Sequence, residues 1–169
     1  MYIRQPDSTH PWPTSFRHND FEMHAHLPDW HELLAAFCGH IGDRSQDHPV
    51  TKLARALAEL HLERLELRLE HRVEPGETGR IDELRAGIVV RIDEWVANRA
   101  RRRGARAESL GAVVDAMAAA HVHAVHLLKT AERVSDEEVH AAWYLLAQMA
   151  DGWTDRAAGV TGPRIRRSA

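Results

Sequence analysis

Three basic side chains, His61, Arg64 and Arg68, recur at three- and four-residue spacing inside a leucine-rich stretch. On a helix advancing about 100° per residue, both arginines fall within roughly 60° of His61. Leu53, Leu57 and Leu60 flank this stripe on one side, and Ala58, Leu62, Leu65 and Leu69 on the other. Glu59, Glu63, Glu66 and Glu70 gather on the opposite, wet side. An amphipathic helix keeps cations out of its apolar sector. Buried Arg and His are costly unless something anionic meets them. The pattern points to a polar pocket inside a helical core. There, arginines would take a carboxylate, sulfate or phosphate, and a neighbouring His or Asp would move a proton.

The same projection on the other helices adds a short set of inward polar groups. Arg85 lies among Ile81, Ile88, Ile92 and Val96, and His121 sits in the middle of an apolar seam. Glu108 and Asp115 share the edge of that seam, with Gly111, Ala112, Ala118 and Ala119 around them. Such small residues let another helix approach closely. Two other readings stand beside the pocket. Glu108 and Asp115 could meet Arg64, Arg68 or Arg85 as a buried ion-pair network, or long arginines could reach solvent at a bundle end. A metal held by His61, His121, Glu108 and Asp115 is the less favoured reading. The 13 histidines otherwise lack ligand spacing, with no HExxH and no paired Glu-x-x-His. Cys38, the sole cysteine, ends an apolar pattern of Leu33, Leu34 and Phe37 and reads as a packed structural thiol. No nucleophile elbow or phosphate-binding glycine loop supports nucleophilic catalysis.

These groups must be positioned by helices. With 44% hydrophobic and 28% charged residues over 169 positions, the chain reads as one soluble globular domain. A net charge of −3 gives no electrostatic reason to expect nucleic acid. The single cysteine excludes an internal disulfide. No 18-residue apolar run suggests a membrane span, and no hydrophobic signal region is evident, so a cytoplasmic location is expected.

Residues 1–28, with Pro6, Pro11 and Pro13, read as an irregular N-terminal arm that Trp12 and Phe16 could anchor. Five helices are predicted within a bundle domain over 29–158. The first spans 29–38, with Asp29 as N-cap and Gly39 as stop. The second spans 49–73, opened by Asp47 and ended before Pro75-Gly76. The third spans 78–100, followed by a basic connector from Arg99 to Arg106. The fourth spans 107–131, with Leu110, Val114, Met117, His121, Val125 and Leu128 as its seam. The fifth opens with a capping box, Ser135 and Glu138, and runs to 158. Its inner face would be Val139, Ala142, Trp143, Leu146, Met149, Ala150 and Trp153. Residues 159–169 read as a basic, flexible tail. Short connectors between long amphipathic helices imply an all-α, single-domain antiparallel bundle.

The chain also resembles a mainly helical bacterial family catalogued as domain of unknown function 4254, in its actinobacterial form. The resemblance rests on Leu57-Ala58-Glu59-Leu60-His61 with Arg64, on Arg91-Ile92-Asp93-Glu94-Trp95-Val96, and on Glu108 through Asp115. An Ala-Trp-x-x-Leu-Ala element, Ala142 to Ala147, is similar too, and the likeness covers about residues 29–158. The family places Thr before the glutamate where this chain has Ala107. The resemblance supplies no activity, but it singles out His61, Arg64, Asp93, Glu108 and Asp115.

Two functional expectations follow. The first is an enzyme of specialised metabolism, without a cofactor or bound metal, acting on a small anionic substrate. Arg64, Arg68, Arg85 and His121 would bind the substrate. His61 or Asp115 would transfer a proton, with Glu108 or Asp93 orienting it. One concrete form is displacement of sulfate or phosphate by an amine, as in aziridine formation. The second is a non-catalytic ligand-binding or assembly subunit, in a homo- or hetero-oligomer. Its inward charges would fix helix register, and Trp12, Trp30 and Leu145 would serve as interface. Neither expectation involves nucleic acid or a membrane.

Overall fold

A computed structural model describes residues 26–71, 74–101 and 109–161. The chain is all-α, with α1 at Trp30–Phe37, α2 at Pro49–Leu69, α3 at Pro75–Arg101, α4 at Leu110–Thr130 and α5 at Glu137–Thr161. Short connectors and packing between successive long helices make the arrangement an antiparallel bundle. α4 is the hub and packs against all four other helices. Residues 1–25 of the expected arm, the arginines at 102–106 and the tail beyond 161 lie outside the described residues.

Local chemistry sets the helix ends. Asp29 caps α1 through a full capping box, its carboxylate accepting from the Glu32 amide at 2.9 Å. Gly39 then takes a φ of +77°, the left-handed conformation that glycine adopts freely after a helix end. Asp47 does not cap α2. It accepts instead from the Gly42 and Arg44 amides at 2.7 and 3.0 Å, stabilising the preceding turn. His48 caps in its place, with its Nδ1 accepting from the Val50 amide at 3.0 Å. α2 stops at Leu69, short of the expected 73, as His71 turns left-handed at φ +55°.

α3 starts earlier than expected, because Pro75 opens the helix rather than breaking it. Proline suits a first-turn position, where its missing N–H loses nothing. α4 begins after Ser109, whose hydroxyl accepts from the Ala112 amide. α5 begins at Glu137, two residues beyond the expected cap at Ser135.

The core joins Trp95, Ile81 and Ile92 of α3 to Leu57 and Val50 of α2, Leu110, Val114 and Met117 of α4, and Trp153 of α5. Leu33 of α1 closes one side, and Trp153 Nε1 donates to the Pro28 carbonyl at 3.0 Å. Close approach of α3 and α4 requires Gly111: a Cβ there would collide with the Val89 carbonyl oxygen. Two expected inner residues turn outward, Trp143 at 36% and Leu128 at 40% exposure. By length and composition α4 could cross a membrane; here 39% of that apolar stretch is buried as α4 packs against the other four helices.

Candidate functional site

Four of the residues expected to do chemistry meet at one place. His61 and Arg64 stand one turn apart on α2, Arg85 comes from α3, and Asp115 from α4. Asp115 is the hub. Its Oδ1 lies 2.8 Å from His61 Nε2 and accepts from Arg85 Nε at 3.1 Å, while Oδ2 accepts from Arg85 Nη2 at 2.6 Å. This fork-to-fork pairing with arginine is the strongest geometry available to a carboxylate. Burial alone would raise the Asp115 carboxyl, but hydrogen bonds and charge from His61 and Arg85 outweigh it and hold it at about 2. Asp115 is thus an anion throughout the physiological range. Arg85 is pushed above its ordinary value, first by its hydrogen bond to Asp115 and against the opposing effect of burial.

A fifth member, Asp82, was not anticipated. It stands three residues before Arg85 on α3, and its Oδ1 accepts from Arg85 Nη1 at 3.0 Å and from Arg64 Nη1. Two guanidinium groups from different helices therefore converge on one carboxylate oxygen. The Asp82 side chain is 48% exposed, whereas that of Asp115 is 17% exposed. An i,i+3 Asp–Arg pair is a recognised helix-surface contact, so spacing alone could have revealed Asp82.

Other expected site residues stand elsewhere. Arg68 is exposed. It follows the helical stripe but lies in the last turn of α2, away from the Asp115 cluster. Its charge instead suits the carbonyl end of α2. Asp93 does not orient His61 or Asp115. It accepts from Ser109 Oγ and the Gly111 amide, both at 2.7 Å, and so holds the start of α4. Glu108 lies outside the described residues.

His121 is buried on the far side of α2's leucines, its Nε2 3.8 Å from Cys38 Sγ and its ring 5.7 Å from that of Phe37. Desolvation lowers its pKa, so the imidazole is neutral at pH 7. Cys38, expected to be packed, is exposed at the end of α1. Among the described residues, no three His, Cys, Asp or Glu side chains gather to hold a metal ion. No family model, curated protein or solved structure matches the chain significantly. The resemblance drawn from its motifs rests on those motifs alone.

Proposed function

We propose that the chain is a small-molecule enzyme whose substrate carries an anionic group held between Arg64 and Arg85, with the His61–Asp115 pair moving a proton beside it. The observation that carries this reading is the convergence of both arginines on Asp82 Oδ1. An oxygen anion already occupies the point between them, on a half-exposed side chain that a substrate carboxylate, sulfate or phosphate could replace. Asp115, deeper and held by three hydrogen bonds, stays as the partner that orients His61. Displacement of a sulfate or phosphate by an amine uses every member. The arginines would stabilise the departing anion, and His61 would accept the amine proton. Fixed charges in a partly desolvated site lower such barriers by several kcal/mol. The site needs no cofactor for this chemistry, and a cytoplasmic setting belongs to the same proposal.

Charge matching favours a second reading. Two arginines already face two aspartates, so the cluster is balanced and could simply lock α2, α3 and α4 in register within a ligand-binding or assembly subunit. The outward Trp143, Tyr144 and Leu145 of α5 would then serve a partner. Asp82→Asn separates the two. If the arginines form an anion site, this variant gains saturable thermal stabilisation from sulfate or phosphate. Chloride at equal ionic strength should not reproduce it, and Arg64→Gln should abolish it. If the variant is merely less stable and responds equally to all salts, the lock reading holds and the enzyme proposal fails.

A further inference from the structure

A second site lies apart from the His61–Asp115 cluster and does not rest on it. α1 has only eight residues, and beyond its end the second half of α2 faces α4 without a covering helix. The gap is a cavity of about 550 Å³, within the usual range for small-molecule sites. Leu62, Leu65, Val122 and Val125 form its walls, and Leu62 and Leu69 are 47% and 54% exposed. These leucines are one flank of the α2 stripe, apolar as a core face would be but open to a guest. From Ala58 to Leu69 the groove follows α2 for about 16 Å, at a rise of about 1.5 Å per residue.

One end of this groove carries a thiol and a base. Cys38 is solvent-accessible, and His121 Nε2 stands 3.8 Å from its sulfur. His121 is only 7% exposed, and its Nδ1 has no hydrogen-bond partner among the described residues. Such a group is expensive to keep in a core for packing alone. Arg55 places a cation beside the same end, its Nη1 donating to the Gly39 carbonyl at 3.2 Å.

We propose that this groove binds an apolar acyl chain and that Cys38, assisted by His121, accepts that chain from an acyl thioester. In this step the Cys38 sulfur attacks the thioester carbonyl carbon as His121 Nε2 takes the thiol proton. The new sulfur–carbon bond forms, the donor's carbon–sulfur bond breaks, and the departing thiolate recovers the proton from His121. The products are a Cys38 thioester, its chain lying along Leu62 and Leu65, and a free donor thiol. No electrons are gained or lost. A neutral imidazole is the protonation state this step requires.

The test uses the full chain with a series of coenzyme A thioesters, from acetyl to dodecanoyl, followed by intact-mass measurement. One acyl group per chain is expected, located on Cys38, removed by neutral hydroxylamine and absent in Cys38→Ser. Each methylene added within the groove should raise the initial rate up to about fourfold, from the transfer energy of a buried CH₂. Leu65→Glu should flatten that dependence, and His121→Gln should slow every chain length about 100-fold. Absence of an adduct on Cys38 would overturn the proposal. So would equal rates for acetyl and decanoyl donors, or rates matching those of the guanidinium-unfolded chain. The chain-length comparison needs no variant, so it decides the matter even if a substitution at His121 impairs folding.

Discussion

Asp115→Asn isolates the hub of the ion network with almost no change of shape. The amide can still accept from Arg85 or face His61, but it carries no charge, and Arg85, 21% exposed, keeps only Asp82 as an anionic partner among the described residues. The drop of the Asp115 carboxyl from 3.8 to about 2 measures how much more strongly the folded chain holds the ionised form, about 2 kcal/mol. Complete burial would make the loss larger, about 3–5 kcal/mol when one partner of a buried pair is removed. Residual exposure and the surviving Asp82 contact argue for the smaller figure. Since the folded value lies below the unfolded one, this stability is present above pH 3.8 and disappears as pH falls through about 2.

Urea unfolding of wild type and variant followed by circular dichroism, at steps from pH 7 to pH 2, reads the effect directly. A gap of about 2 kcal/mol is expected at pH 7, equivalent to about 4–8 °C in melting temperature. It should narrow progressively below pH 4. Equal stability at pH 7, or a gap unchanged at pH 2, would refute the assignment of this energy to an ionised Asp115.

Gly111→Ala forces a methyl group against the Val89 backbone, and thermal melting should register a loss of about 3 kcal/mol. Asp93→Ala removes the acceptor for the Gly111 amide and Ser109 hydroxyl. A loss of about 1 kcal/mol in chemical denaturation is expected, as for other helix caps. The sulfate response of Asp82→Asn should survive that substitution, because Asp93 lies outside the anion site. Trp153→Phe leaves the Pro28 carbonyl without its donor. It should cost about 1–3 kcal/mol and increase hydrogen exchange in α1 before the rest of the bundle.

Helical periodicity made the architecture readable, because an apolar stripe specifies which face is buried whatever its neighbours are. Helix ends were harder. Asp47 and His48 are adjacent and both can cap, and only the tertiary position of the Gly42 turn decides that Asp47 is taken by that turn. The polar cluster was readable in part for the same reason. His61, Arg64, Arg85 and Asp115 each violate an apolar face, and such violations tend to meet one another. Arg68 violates the face equally well yet is exposed in the last turn of α2, since the wheel records direction but not how far along the helix the packing extends. Asp82 was missed because its face is half wet, which made it look like ordinary surface. Cys38 was misjudged at a helix terminus, where the next residue reverses the chain and periodicity stops predicting burial.

The tether from Trp153 to Pro28 spans 125 residues of sequence. Made vectorially at a ribosome, α1 would emerge first and find its anchor last, after four further helices have cleared the exit tunnel. Until then α1 would be held chiefly by its packing on α2. Docking of α5, rather than synthesis of α1, would therefore set the moment when the Cys38 corner takes its final shape.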